Sequence, residues 1–562
     1  MPGIMRLQSL RHELAHPRTS VQLCLLGIIA GVTSALLIVL FRLGIEWTQT
    51  TGLALLSHFE LSDTLTWIIL PIAAAVLILI IAFFTGFKHY RLGIPFVIHR
   101  VKKHYGHIPW RTTVNQFFGG MLALAGGFVV GREGPSVHLG AAGSSLFGQT
   151  LRLPQNSIRT LAGCGIAAGI SASFNTPLAA VIFVMEVVLR EYKIHIFVPV
   201  MLSAACGSVI TRIVFGEGNE LAYFSFSSFS QWVYLYLIVF GCLLGVLATL
   251  FNHTLMTVMT AFRRVSMVWR LLLASLITAI GGAFLPESLG ASFEDVNALF
   301  SQNPEALLVL TILLMKFVLA TCAIGLGIPG GIIGPVMVIG MLAGAFLLIP
   351  VSHWLPREDF TSSFALLGIA GMLTAVLHAP LAALVAVMEL SYRPEIILPA
   401  ILVIVPAYVT ATQFLGNRSI FIQQLDFQKL PYAITSIREA LEKTGVQAAM
   451  ETDFKLFYDA PEEALQKFLA DSPTQLVIQQ SKFELDIKYA WVHYDVSLSQ
   501  HAHPISYQTM TGMSSQATLA EVYEQLNIAR SGAVYIYDEN PSTITGVITW
   551  NRLQSFLQRA QF

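Results

Sequence analysis

Charge is scarce in this chain. Only 12% of its 562 residues are Asp, Glu, Lys or Arg, about half the share usual in a soluble protein. That shortage excludes a soluble fold for most of the sequence. The formal net charge is +0, so no excess of one sign points to nucleic acid or to an acidic partner. Cysteine is sparse as well. Cys24, Cys164, Cys206, Cys242 and Cys322 all lie in apolar segments without a CxxC pair, which argues against disulfides and thiolate metal sites and for small core residues. No triad pattern, P-loop or metal-ligand cluster is present, so neither an enzyme nor a required metal or cofactor is expected. His138 and His378 stand singly in apolar stretches and read as hydrogen-bonded core residues. The polar first residues carry no cleavable signal-peptide pattern.

What the chain has instead is apolar length. Hydrophobic residues make up 55% and the mean hydropathy is +0.66. Windows long enough to span a bilayer recur at Val21–Phe41, Leu65–Phe84, Val233–Phe251 and Leu307–Ile324. Others, such as Gly134–Phe147 and Ile332–Ile349, are short or rich in glycine. This mixture suits a transporter or channel better than a receptor with uniform helices. Arg6, Arg11 and Arg18, then Lys88, Arg91, Arg100, Lys102, Lys103 and Arg111, then Arg263, Arg264 and Arg270 form the basic clusters. The positive-inside rule places them on the cytoplasmic side, with both termini.

One short turn occurs twice, 200 residues apart: Gly131-Arg132-Glu133-Gly134-Pro135 and Gly331-Ile332-Ile333-Gly334-Pro335. A helix that begins inside an apolar region exposes N–H groups where there is no water, and needs an anion or another partner. Glycine lets the backbone approach an ion, and proline in the first turn removes a donor that would go unused. The alternative for either turn alone is a helix break used for packing. The duplication extends further. Gly165–Val187 (GIAAGISASFNTPLAAVIFVMEV) and Gly368–Leu390 (GIAGMLTAVLHAPLAALVAVMEL) align without a gap at an offset of 203, with 11 of 23 positions identical. Pro177 matches Pro380 and Glu186 matches Glu389. Duplicated halves place a binding site at their interface.

These residues make the chain resemble the CLC family of chloride channels and proton/chloride exchangers, over roughly residues 20–445. Gly131–Pro135 is identical to the family's GREGP motif. Gly331–Pro335 matches its GxFxP motif, with Ile333 in place of phenylalanine. Gly93-Ile94-Pro95 matches the end of GSGIP, and Tyr432 in Lys429-Leu430-Pro431-Tyr432 matches the tyrosine that opens the last membrane-associated helix. The resemblance implies an all-α polytopic membrane protein of CLC fold, with two inverted-topology repeats (about 20–215 and 228–415), many tilted and broken helices, and a final helix at about 431–445. It implies a homodimer in a lipid bilayer, the inner membrane of a bacterium, with one ion pathway per subunit. The anion site would comprise Gly93, Ile94, Gly131, Arg132, Gly134, Pro135, Ile332, Ile333, Gly334 and the Tyr432 hydroxyl. Glu133 would be the gating glutamate, a tethered carboxylate competing with chloride when ionised and swinging away when protonated. The alternative is a structural Glu133 held by Arg132.

Two departures from the family bear on mechanism. Leu92 stands where a serine hydroxyl usually helps to hold chloride, and leucine donates no hydrogen bond. The nitrate-type proline and the fluoride-type motif are absent, so chloride stays the expected anion. In exchangers an inner proton-accepting glutamate follows another acidic residue; here the pair reads Glu186-Val187. Valine carries no proton, which favours passive, channel-like conduction over a proton/chloride antiporter. Glu186 and Glu389 also admit a structural reading as helix caps.

Near residue 420 the composition turns polar, and beyond it no segment could span a membrane. Helical pattern is expected at Ala460–Leu469 and Leu519–Leu526, and strands at Gln475–Ile478, Ala533–Tyr537 and Thr545–Thr549. This small cytoplasmic α/β tail resembles a pair of CBS domains, divergent at 446–505 and clearer at 506–562, after an N-terminal segment at 1–19 and the membrane domain at 20–445. The resemblance is best at Gly546-Val547-Ile548-Thr549. Asn551 replaces the Asp that often holds a ribose, so adenine nucleotide is a weaker expectation there than a structural or regulatory role.

Overall fold

The computed structural model describes residues 10–16, 20–57, 63–87, 92–216, 218, 221, 224, 226, 229, 231–302, 304–354, 360–432, 441–472, 475–483, 486–494 and 505–559. The chain forms two compact units. One comprises Cys24–Phe147 and Thr160–Tyr432; the other comprises Met1–Leu23, Gly148–Arg159 and Ala433–Phe562.

The first unit is helical. Its first half contains α1 (Val21–Ser57), α2 (Asp63–Thr85), α3 (Gly93–Lys103), α4 (Trp110–Ala125), α5 (Glu133–Thr150), α6 (Gln155–Phe174), α7 (Pro177–Phe183) and α8 (Ile194–Phe215). The second half contains α9 (Gln231–Ala261), α10 (Met267–Phe284), α11 (Phe293–Ser301), α12 (Ala306–Leu326), α13 (Ile333–Leu348), α14 (Thr361–Leu377), α15 (Pro380–Ser391), α16 (Ile397–Val409) and α17 (Ile420–Phe427). Among the described residues, 8 helices are long and apolar enough to cross a membrane. The others that build the site are short. The expected final helix at 431–445 lies largely outside the described residues, as do Arg6, Arg18, Lys88 and Arg91.

Equivalent glycines set equivalent helix crossings in the two halves. A Cβ on Gly140 of α5 would strike the Gly165 carbonyl of α6, and one on Gly165 would strike the Gly140 carbonyl. In the second half, a Cβ on Gly340 of α13 would lie 2.6 Å from the Gly368 carbonyl of α14, and Gly368 meets the Gly340 carbonyl in return. Apolar burial gives helices in lipid little reason to associate, so close backbone approach between small residues supplies the packing.

The second unit is α/β. In one sheet the order is β1 (Phe454–Tyr458), β2 (Leu476–Phe483), β3 (Asp486–Tyr494), β4 (Ile505–Thr509), with β1 and β2 parallel and the other pairs antiparallel. In the other, β5 (Thr511–Ser514) pairs parallel with β6 (Ala533–Tyr537), which pairs antiparallel with β7 (Gly546–Thr549). Helices α18 (Glu462–Asp471), α19 (Leu519–Leu526) and α20 (Trp550–Arg559) complete it. The first sheet therefore runs through Thr509, past the boundary expected at 505/506. Residues 441–451 cross to the second sheet, where Glu451 bridges Val547 and Leu441, Val446 and Ala449 pack with Leu519 and Val522.

Arg11, one of the basic residues before the first span, is buried. Its Nη2 donates to the Leu151 carbonyl at 3.2 Å and its Nη1 lies 3.6 Å from Asp538 Oδ1. Asn156 donates to the Leu14 carbonyl (3.0 Å), and the Gly445 N–H to the Ala15 carbonyl (2.9 Å). A buried guanidinium needs such partners, and this segment supplies them.

Gly140→Ala and Gly340→Ala are each expected to lower the thermal midpoint of the detergent-solubilised protein, the overpacking costing about 1–3 kcal/mol. Gly218→Ala is the control, because a Cβ there meets nothing within 4 Å.

Candidate anion site

The two repeated turns bind each other. The Gly131 N–H donates to the Gly331 carbonyl at 2.8 Å, and the Gly331 N–H donates to the Gly131 carbonyl at 2.6 Å. The pairing is antiparallel. Equivalent residues that pair while running in opposite directions are related by a local twofold, which is the relation an inverted repeat produces. From this bridge α5 starts at Glu133 and α13 at Ile333, with Pro135 and Pro335 inside the first turns. The next backbone bonds run from the Ser136 N–H to the Arg132 carbonyl and from the Val336 N–H to the Ile332 carbonyl. Among the described residues, no protein acceptor takes the N–H groups of Gly134, Ile332 or Ile333. Two helix starts thus present donors and the positive ends of their dipoles at one place.

Glu133 is buried between the turns, 3% exposed. Its own N–H and that of Gly334 bond to its carboxylate. A Cβ on Gly334 would come within 2.9 Å of Oε1, and one on Gly131 or Gly331 would run into Oε2. The glycines therefore make room for this carboxylate, and Oε2 has no hydrogen-bond partner of its own. Arg132 places its guanidinium over the Phe174 ring, 4.5 Å from the centroid.

A third helix start completes the site. Gly93 opens α3 with φ +72°, a left-handed conformation that favours glycine. Its N–H donates to Gln116 Oε1 of α4 at 2.9 Å. A pocket is lined by Leu92, Gly93, Ile94 and Pro95 from α3, by Gly134 from α5, and by Gly330, Gly331 and Ile332 before α13. Its remaining wall is Met259, Ile324, Ile328, Phe421, Gln424 and Gln428. Of the residues expected at the site, Gly93, Ile94, Gly134, Ile332 and Leu92 therefore line one pocket. Gly131, Arg132, Pro135, Ile333 and Gly334 belong to the turns behind it. The N–H groups of Gly93, Gly131 and Gly334 already have protein acceptors, which narrows the main-chain donors left for an ion.

Tyr432 does not join this pocket wall. It lies beyond the left-handed Lys429 (φ 54°), where the chain has turned out of α17, and its hydroxyl is 3.4 Å from Arg418 Nη2. The aromatic residue in the pocket is Phe421, at the start of α17 and 1% exposed. A possible sequence signal was the glycine turn at Gly416 before a short apolar helix; the tyrosine drew attention because it carries a donor. Gln116 was missed too, although it is the one amide in the apolar run Gln116-Phe117-Phe118-Gly119-Gly120.

Glu186 and Glu389 have equivalent, exchanged positions. Glu389 accepts from the N–H groups of Leu178 and Ala179 at the start of α7, at 3.0 and 2.8 Å. Glu186 accepts from those of Leu381 and Ala382 at the start of α15, at 3.3 and 2.7 Å. Each half thus caps a helix of the other, satisfying N–H groups that follow Pro177 and Pro380. Glu186 sits in the π-helical turn Val184–Leu189, and Val187 beside it is buried.

Residues 73–412 match the family described as Voltage gated chloride channel. The H(+)/Cl(-) exchange transporter ClcA of Cronobacter sakazakii is 27% identical over 442 residues, covering 75% of this chain and 92% of the relative. The protein of the same name from Klebsiella pneumoniae is 27% identical over 434 residues, covering 74% and 91%. In fold, the chain is similar to a slow cyanobacterial Cl-/H+ antiporter (TM-score 0.65, 21% identity, 72% of this chain and 97% of the other). It is also similar to a eukaryotic CLC transporter (TM-score 0.61, 19% identity, 94% and 97%), a likeness that extends into the tail.

The exchanged caps predict a stability effect. Glu186→Ala and Glu389→Ala should each cost about 1.5–3 kcal/mol, the worth of hydrogen bonds to a charged group, and should lower the thermal midpoint more than the corresponding Gln variants. Unchanged midpoints together with altered proton movement would assign Glu186 to proton transfer instead of capping.

Proposed function

The chain belongs to the voltage-gated chloride channel family, and from that membership we propose that it carries chloride across a membrane along a pathway gated by Glu133. The observation that carries the reading is the Glu133 carboxylate seated between the two paired turns, with the Gly334 N–H on it and Oε2 unpartnered. A carboxylate held there by main-chain donors occupies the kind of place a chloride would take. Helix-start N–H groups suit this role because they replace hydration with partial charges, and so bind an anion without the tight hold of a lysine or arginine. When the carboxylate is ionised it competes with the anion. When it takes a proton that competition ends and the path opens.

Channel-like conduction is the first reading of the mechanism. Val187 offers no proton acceptor beside the site, and Glu186 is engaged as a cap on α15. Proton/chloride exchange is the second, supported by relatives described as exchangers that align over nine-tenths of their length. In that case another acid or a file of water would carry the proton inward.

Apolar residues remain exposed on α8 (Ile194, Val209, Ile213) and α16 (Leu398, Val405), which supports both a bilayer environment and the homodimer expected of the family. The bacterial relatives support an inner-membrane location, with cytoplasmic termini proposed from the basic clusters. Adenine nucleotide binding by the tail stays a lesser proposal, and the absence of a ribose-holding Asp at Asn551 counts against it.

The protein reconstituted in liposomes under a chloride gradient and clamped voltage should pass chloride, with flux that rises as pH falls. Glu133→Gln should pass chloride at a rate nearly independent of pH; a pH dependence equal to that of the unaltered protein would remove Glu133 from the gate. Protons driven uphill by the chloride gradient would replace the channel reading with the exchanger.

A further inference from the structure

An anion stripped of water needs donors, and most of this pocket offers none. Leu92, Ile94, Ile328, Ile332 and Phe421 contribute apolar walls. A desolvated anion without compensating hydrogen bonds is heavily disfavoured. The Gly93 N–H is spent on Gln116 and the Gly331 N–H on Gly131. The wall nonetheless contains Gln424, whose side chain is 6% exposed and whose Nε2 is 3.8 Å from the sulfur of Met259, itself part of the wall. A thioether is a weak acceptor and leaves that amide poorly matched.

A second amide stands behind Gly93. A backbone N–H only donates, so the atom of Gln116 that faces Gly93 must be its oxygen. This fixes the amide orientation, which otherwise rests on the hydrogen-bond network. The Gln116 NH2 group is then directed elsewhere, fully buried and without an acceptor among the described residues. Buried amide donors in native proteins nearly always have partners. Gln424 lines the pocket with only a thioether for its donor, and Gln116 is bonded to Gly93, which lines it; an anion there would give both amides a stronger acceptor.

We propose that Gln424 and Gln116 supply the side-chain donors of the anion site, Gln424 from the pocket wall and Gln116 from behind Gly93, in place of the hydroxyls that Leu92 and Phe421 do not carry. The proposal rests on the reading of this pocket as the anion site. Neutral amides match the main-chain donors in strength: they add specificity without the tight binding a cation would impose. Because the remaining wall is apolar, strongly hydrated chloride depends on these donors more than weakly hydrated thiocyanate does.

Anion binding to the purified full chain is measured by calorimetry with chloride and with thiocyanate, alongside liposome flux. Gln424→Leu should weaken chloride binding by about 10- to 100-fold, with a smaller loss for thiocyanate, and Gln424→Asn should recover part of the chloride loss. Gln116→Glu keeps an acceptor for the Gly93 N–H but can add a negative charge with the loss of the donor, so it is read beside Gln116→Met, which removes the donor without adding charge; both should lose chloride binding while eluting as folded particles. Equal chloride affinity in unaltered protein, Gln424→Leu and Gln116→Glu overturns the proposal. Equal losses for the two anions also overturn it, because they indicate general distortion. If Gln424→Leu does not fold, Gln424→Asn and Gln116→Glu decide by the same criteria. Unaltered protein that neither binds nor passes any anion overturns the site reading itself, not the role of the amides within it.

Discussion

Everything at the centre of this protein depends on the two hydrogen bonds exchanged by Gly131 and Gly331. A helix broken inside a bilayer leaves backbone groups that lipid cannot satisfy. One break would be costly. Two equivalent breaks, set face to face, satisfy each other: each glycine gives its N–H and takes the other's. The exchange uses up one donor of each turn and leaves the next N–H groups at the mouths of α5 and α13. The same bonds that make the break tolerable thus fix where the remaining donors stand. Glycine is required at both positions because the Glu133 carboxylate fills the space a side chain would need.

The exchanged caps repeat this logic away from the ion. Glu186 and Glu389 each complete a helix in the opposite half, and the glycine crossings at Gly140/Gly165 and Gly340/Gly368 recur in both halves. Symmetry therefore resides in the scaffold. Within the paired turns it is broken at two positions, where Arg132 and Glu133 of the first stand against Ile332 and Ile333 of the second. A symmetric frame thus holds one carboxylate, Glu133, between its two halves.

Much of this could be read from the sequence because it is local or repeated. The turns, the 203-residue offset, the helix Leu519–Leu526 and the strand Ala533–Tyr537 all appear where periodicity and motif place them. The failures share a cause: they depend on which distant residue meets which. Gln116 meets Gly93 across 23 residues of chain, a pairing that no local pattern announces. Tyr432 follows the left-handed Lys429, and its hydroxyl lies near Arg418, while Phe421 lines the pocket. Arg11 is one of the basic residues before the first span, and its partners Leu151 and Asp538, which no local pattern announces, lie far along the chain. Glu186 admits two readings from sequence, since its sequence neighbours do not include the helix it caps.

The clasp around Arg11 has a consequence for biogenesis. Residues 10–15 leave the ribosome first, yet their carbonyls and the Arg11 guanidinium find partners in Asn156, Gly445 and Asp538. The segment can meet Leu151 and Asn156 early in synthesis, but Gly445 and Asp538 only much later. Its last contact, Arg11 with Asp538, can form only after residue 538 has been synthesised.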